Sequence, residues 1–258
     1  MTEGVDRYSI GGVEVICLTD GGTVFGEEVF ATLDADARAA RLDKAGLDGI
    51  RSEFNAYVLR HAGGIDLVDT GCGAHFGAKA GHLASLLAHL GIAEGDVGRV
   101  IYTHLHRDHV GGSMREGALV YPRAEVLLHA AEAAHWTEGL GAEMLAASER
   151  VTTLKDGADL GHGIALWHLP GHTPGHCGLR IGNLALVGDI VHSEALQLPE
   201  PGLSPVYDTD GAQAATTRRG ALERIAREGL VWSGSHMLGP LKFARLAAVG
   251  EGFARVTL

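Results

Sequence analysis

Cysteine is scarce in this chain. Its three residues, Cys17, Cys72 and Cys177, lie far apart and form no C-x-x-C pair. That spacing excludes a disulfide framework and a thiolate zinc finger, and it fits a reduced, cytoplasmic setting. The opening stretch Met1 to Arg7 lacks a basic region followed by an apolar one. No later stretch approaches the ~18 uninterrupted apolar residues of a membrane span, so a cytoplasmic protein without a membrane partner is expected. Positive charge is short as well: 21 basic against 32 acidic residues give a formal net charge of −11. Such a balance speaks against a phosphate-tracking surface, so nucleic acid is not an expected partner. No Pro/Ser-rich linker and no repeat of fixed period divides the sequence.

With 258 residues, 46% of them hydrophobic, the chain can bury a sizeable core. Apolar runs of strand length recur at Val13–Leu18, Ala56–Leu59, Ile65–Val68, Val100–Tyr102, Val126–Leu128, Ile164–Trp167 and Leu184–Val187, most of them bounded by Gly, Asp or Pro. Helical spacing appears in His82–Leu90 and in Gly211–Glu228, with Asp208 or Asp210 placed to cap the second. Strands and helices therefore mix throughout, which reads as one α/β domain over residues 1–258. The segment 26–51 is more charged and irregular than its surroundings. It reads as a surface lid or a homodimer contact, or more plainly as a solvated helix and loop. Glycine is abundant, 38 residues, and clusters at strand ends such as Gly71, Gly111, Gly112, Gly171 and Gly188, where loops can come close to an ion.

The chemistry is concentrated in six residues, His104-Leu105-His106-Arg107-Asp108-His109, directly after an apolar run. Three imidazoles and a carboxylate in one turn of chain match the donors that a divalent ion of borderline softness prefers. Further donors follow, each ending an apolar strand: His172 between two Pro-Gly-type turns, Asp189 after Leu184–Val187, and His236 after Leu230-Val231-Trp232. If His104, His106 and His172 hold one ion, and Asp108, His109 and His236 a second, Asp189 is left as the bridge. Two ions so placed stand ~3.5–4 Å apart, and water shared between them loses its proton near neutral pH. An extended loop explains how one segment feeds both ions, since alternate side chains point the same way. The chain has 15 histidines. His61, His75, His82, His89, His129, His162 and His168 are read as ordinary surface or hydrogen-bonded core residues.

This pattern, a His-x-His-x-Asp-His loop followed by His, Asp and His, resembles the metallo-β-lactamase fold superfamily at all seven positions. Asn55–Leu59 and Leu67–Gly71 look like its early strands. The resemblance implies a four-layer αββα sandwich of helix, sheet, sheet and helix, two divalent metal ions at one edge, and Asp69 behind a ligand histidine. Zn2+ is the ion it implies first, with Mn2+, Co2+ or Fe2+ as alternatives. Gly188-Asp189-Ile190-Val191-His192 and Tyr207–Asp210 with Thr217–Arg219 are similar to the branch that contains methyl parathion hydrolase and quorum-quenching lactonases. Trp136 resembles an aromatic wall of that branch's pocket, or is a half-buried helix residue, and His192 and Met237 are further substrate-binding candidates, although Met237–Lys242 departs from the branch's more aromatic, glycine-rich continuation.

The implied activity is hydrolysis of a small-molecule lactone or ester, acyl-homoserine lactones among them, by a metal-bridging hydroxide. Asp189 would hold the bridge and Asp108 pass a proton to the leaving oxygen. The same machinery suits a phosphotriester. The alternatives are a β-lactamase or thioesterase of the same fold and, from another class, an iron-dependent oxidoreductase such as a sulfur dioxygenase.

Overall fold

The computed structural model describes residues 4–258; residues 1–3, part of the opening stretch read above, lie outside the described residues. In the first sheet, β1 (Val5–Ile10), β2 (Val13–Phe25), β3 (Ile50–His61), β4 (Gly64–Val68) and β5 (Val97–Ile101) run in chain order. The hairpin β6 (Met114–Arg115) and β7 (Ala118–Leu119) interrupts it before β8 (Glu125–His129) and β9 (Val151–Leu154) complete its seven strands. The second sheet has six strands in order: β10 (Ile164–His168), β11 (Cys177–Ile181), β12 (Leu184–Leu186), β13 (Val231–Ser233), β14 (Ala244–Val249) and β15 (Gly252–Thr257). Helices α1 (Ala35–Lys44), α2 (Leu83–His89), α3 (Arg107–Val110), α4 (Ala130–His135), α5 (Gly139–Ala147), α6 (Glu194–Gln197) and α7 (Gly211–Glu228) fill the connections.

Strand periodicity explains the layering. Side chains of a strand alternate between faces, and along β2 Val13, Val15 and Cys17 turn one way while Ile16 and Leu18 turn the other. The first set meets Leu179, Ile181, Leu184, Leu186 and Val231 of the second sheet. The second set packs with Leu83 and Leu87 of α2 and Met144 of α5. On the far side of the second sheet, Ala185, Val187, Trp232 and Ala244 receive Ala221, Leu222 and Ile225 of α7. Three buried interfaces thus separate four layers, helix, sheet, sheet and helix, as the resemblance implies.

Every strand run read from the sequence coincides with a strand, Tyr102 and Val187 lying one residue past the ends of β5 and β12, and β2 and β3 extend beyond the apolar stretches that marked them. The two helices read from spacing are α2 and α7. Asp210, not Asp208, caps α7: its carboxylate accepts from the Gln213 amide at 2.9 Å. Segment 26–51 is packed rather than merely solvated. Val29, Phe30, Leu33 and Ile50 form a small core with Leu196 and Leu203, and Arg41 pairs with Glu200 at 2.6 Å. Among the described residues no helix is long and apolar enough to cross a membrane.

Strand direction positions the site. β4, β5 and β8 are mutually parallel, and so are β12 and β13; β10 shares the direction of β12 because both are antiparallel to β11. The loops leaving the C-terminal ends of these six strands carry Asp69, His104 to His109, Glu132, His172, Asp189 and His236. Because Asp210 caps α7 at its exposed end, Asp210→Ala should cost about 1 kcal/mol of stability. Denaturant unfolding checks this, with metal content as the quantity that should not move.

Candidate metal centre

Four loops from the two sheets converge. His104 Nε2 lies 3.1 Å from His172 Nε2, and His106 Nδ1 lies 2.9 Å from the same atom. Opposite them His236 Nε2 stands 2.9 Å from Asp189 Oδ2, and His109 Nε2 stands 3.2 Å from Asp189 Oδ1 and 3.5 Å from Asp108 Oδ2. The donor atoms fall into three overlapping groups in which all members lie within 4.8 Å of one another. These are His104, His106 and His172; Asp108, His109, Asp189 and His236; and His172, Asp189 and His192. All seven residues expected as ligands are therefore brought together, with Asp189 shared between groups. The local path differs from the extended loop expected: His104 to His106 is irregular and Arg107–Val110 is a helical turn, which swings Asp108 and His109 towards the second group.

The arrangement behind each imidazole decides which nitrogen faces the centre. His109 Nδ1–H donates to Asp69 Oδ2 at 2.8 Å, and Asp69 is itself fixed by the amide and hydroxyl of Thr103. His172 Nδ1–H donates to Asp208 Oδ1 at 2.9 Å, and the other oxygen of Asp208 accepts from the fully buried Arg218 at 3.1 Å. His236 Nδ1–H donates to the Glu53 carbonyl at 3.0 Å, beside the Ser52 hydroxyl at 2.9 Å. With the rear N–H used in this way, the front nitrogen of each ring presents a lone pair. His172 Nε2, so presented, stands at contact distance from nitrogens of His104 and His106, and the buried Nε2 of His109 and Oδ1 of Asp189 have no hydrogen-bond partner. Buried polar atoms left in that state are costly unless a cation takes them. The donor set, imidazole nitrogen with carboxylate oxygen, is the one that suits divalent zinc-like ions, and the residues present fit the metals the fold implies.

Electrostatics agree with the geometry. Burial and neighbouring imidazoles push His104 well below the ordinary value, and burial, with His172, pushes His106 down to about 3. Burial alone would lower His109 and His236, but Asp189 and Asp108 outweigh it and hold both above the usual imidazole value. Burial would raise Asp189; the imidazoles of His109, His236 and His104 instead keep it well below the carboxylate range. Asp108 is lowered too, burial being outweighed by His109.

Asp189 needs its own support. Its amide donates to His176 Nε2 at 2.9 Å, while His176 Nδ1–H donates to the Leu169 carbonyl at 2.8 Å. The preceding Gly188 has φ of 54°, and a Cβ there would sit 2.5 Å from His176 Nε2. Glycine is required at that position on both counts. The roles of His176, Asp208, Arg218 and Glu132 are not assigned by the sequence. His176 closes the His-Thr-Pro-Gly-His run, Asp208 and Arg218 lie in the stretches that resemble the lactonase branch, Asp208 being also one of two candidate caps, and Glu132 carries no signal.

A cavity of about 290 Å3 opens over these donors, lined by Phe25, Phe54, Phe76 and Tyr207 together with Arg107, Asp108, His192 and four of the other ligand candidates. His192 is buried in its wall, and its Nδ1 has no partner. The other two residues expected at the substrate lie elsewhere. Met237 is 1% exposed in the core beneath Gly234, whose amide faces its sulfur at 3.4 Å, because the turn after His236 points inward. Trp136 is half-buried at the end of α4 with its ring 5.4 Å from that of His106, outside the cavity lining. Phenylalanines distant in sequence make the aromatic wall instead.

Residues 54–228 match the sequence profile of the Metallo-beta-lactamase superfamily. The chain belongs to that superfamily and is one of its hydrolases. An N-acyl homoserine lactonase from Bacillus sp is 31% identical over 99 residues, a stretch that spans 38% of this chain and 38% of that protein. Among solved structures, the hydrolase AbOPH in the beta lactamase superfamily has a TM-score of 0.91 at 25% identity, covering 100% of this chain and 98% of that one. AidC, a dizinc quorum-quenching lactonase in complex with a product, also has a TM-score of 0.91, at 23% identity over 99% of this chain and 97% of its own.

Metal binding needs neutral imidazoles. His109 and His236, whose values their carboxylates raise, take up an ion only as neutral rings, so addition of Zn2+ to metal-free protein should release protons, and more of them as pH falls. Titration calorimetry in buffers of different ionisation enthalpy measures the number; a heat independent of buffer would contradict this charge assignment.

Proposed function

We propose that the chain is a dinuclear, zinc-dependent hydrolase of small lactones or esters, with N-acyl homoserine lactones as its first substrate class. The supporting observation is the cavity: five of the seven expected ligands, His106, Asp108, His172, Asp189 and His236, line its floor, His104 and His109 are grouped with them, and four aromatic rings form its walls. That shape suits a substrate with one electrophilic carbonyl and an apolar tail. The partial likeness to an N-acyl homoserine lactonase agrees with the choice.

His104, His106 and His172 would hold one ion, Asp108, His109 and His236 the other, and Asp189 would serve both. When bound, such ions polarise a carbonyl oxygen and bring the pKa of water down to about 7. The remaining work falls to the chain. Phe25, Phe54 and Phe76 exclude bulk water from the acyl tail. The Tyr207 phenol, raised by burial and by Glu28 and Asp108, stays protonated and can donate to the substrate. His192, pushed well below the ordinary value mainly by burial, is neutral and can orient the carbonyl side. Asp108, whose side chain is 16% exposed, is the floor carboxylate that solvent and substrate reach most readily. Its other oxygen, the one not turned to His109 and His236, can take the hydroxyl proton of the tetrahedral adduct and deliver it to the leaving alkoxide. A carboxylate held below its usual range releases that proton readily.

The test is a substrate panel of acyl-homoserine lactones of increasing chain length, aryl esters, phosphotriesters and β-lactams on zinc-loaded protein. Lactones should show the highest kcat/KM; β-lactam turnover above lactone turnover would overturn the substrate assignment. Asp189→Ala should remove both ions and lower turnover by at least ~10³-fold. Metal analysis and rate are measured on the same sample, and a variant with full metal content would remove Asp189 from its shared place.

A further inference from the structure

One buried carboxylate near the centre is not among the donors. Glu132 on α4 is 0% exposed and accepts four hydrogen bonds. Its Oε1 takes the Leu105 amide at 2.9 Å and the Trp136 indole N–H at 2.6 Å; its Oε2 takes the Thr173 hydroxyl at 2.5 Å and the Gly175 amide at 3.1 Å. Leu105 stands between His104 and His106, and Thr173 follows His172 directly. The two chain segments that supply the first donor group, one from each sheet, are therefore pinned to a single side chain. None of its bonds reaches the segments that carry Asp189 or His236, and it meets the segment of Asp108 and His109 only at Leu105, ahead of the helical turn that swings those two away. The fit is tight: a Cβ on Gly175 would lie 2.0 Å from the Glu132 amide nitrogen, so this turn can close on α4 only as glycine.

We propose that Glu132 is the positioning residue for one half of the metal centre, the group His104, His106 and His172, and that it sets the geometry of this half before an ion arrives. The proposal rests on the dinuclear reading above. Its physical basis is that His172 Nε2 meets His106 Nδ1 at 2.9 Å and His104 Nε2 at 3.1 Å, so these nitrogens face one ion together only if their two chain segments are kept from turning to pair with each other. A carboxylate bonded to both segments supplies that hold, since hydrogen bonds to an ionised acceptor are roughly twice as strong as neutral ones. The second half is tied to Glu132 only indirectly, through the chain from Leu105 to Asp108, and its own rings rest on Asp69 and Glu53. The two halves should therefore respond differently to its loss.

Two variants test this. Glu132→Gln keeps the shape of the side chain but turns a donor towards donors, and Thr173→Val removes one hydrogen bond while keeping the volume. Zinc content after dialysis against graded chelator, and the two stepwise affinities by chelator competition, are measured for both and for the wild type. Unfolding temperature of the metal-free proteins is measured alongside. The wild type should hold two ions. Glu132→Gln should weaken one of them about 10–100-fold and leave the other near its wild-type affinity, and Thr173→Val should weaken the same ion by a smaller factor. If Glu132→Gln does not fold, the selective loss in Thr173→Val decides the matter. Equal weakening of both ions together with a lowered metal-free unfolding temperature would show a general structural role, and unchanged affinities in both variants would show none; either result overturns the proposal. A wild type that binds fewer than two ions overturns the dinuclear reading itself, a different failure visible before any variant is made.

Discussion

The structure depends on one constraint: imidazole lone pairs from different loops must face a common point, and each ring must be prevented from turning away. Three of the donor rings meet it in the same manner, with Nδ1–H given to a fixed acceptor behind the ring: Asp69 for His109, Asp208 for His172 and the Glu53 carbonyl for His236. The acceptors are in turn held, Asp69 by Thr103 and Asp208 by Arg218. A ring with its rear N–H committed has one front nitrogen to offer. Selectivity for a cation follows from that commitment rather than from the count of histidines.

The fold supplies what the loops cannot. Strands of both sheets that carry donors end at the same rim, so four loops meet without any of them being long. Cross-sheet bonds hold the rim closed: the Tyr57 hydroxyl pairs with the Ser233 hydroxyl at 2.9 Å, and the Asn55 side chain donates to the carbonyls of Gly234 and Met237 at 3.3 and 3.0 Å. The apolar interface between the sheets brings these polar groups together, and they fix the relative height of the two loops. Asp189 sits where the two sheets meet, which is why it can serve donors from each.

Charge organisation follows from the same burial. Asp189 and Asp108 remain ionised among imidazoles, while His104, His106 and His176 are kept neutral mainly by desolvation. The arrangement separates rings pushed below the ordinary imidazole value from rings held above it, and it places the second kind, His109 and His236, beside the carboxylates. The proposed chemistry uses that asymmetry: Asp108, the most accessible carboxylate of the floor, is free to handle a proton, whereas Asp189 is enclosed on every side.

Local sequence carried much of this. Continuous apolar runs along β2 and β12 marked buried strands, and the crowding of His104, His106, Asp108 and His109 after an apolar run marked the metal loop, because donors adjacent in sequence need no fold to be close. Asp69 was legible only through resemblance. The residues invisible in sequence are those whose role is relational. Glu132, Asp208 and Arg218 look like ordinary helix and loop charges until α4 and α7 are docked, and Phe25, Phe54 and Phe76 are isolated aromatics until β2, β3 and the loop beyond β4 meet at one cavity. Met237 was misread for the same reason, since adjacency to a ligand does not say which way a turn points its next side chain. Sequence by itself determined which atoms can bind a cation and which runs of chain form strands, both being properties of neighbours along the backbone. Tertiary structure alone decided which carboxylate stands behind which ring and which aromatics enclose the substrate, because burial and direction are properties of surfaces brought together only by packing.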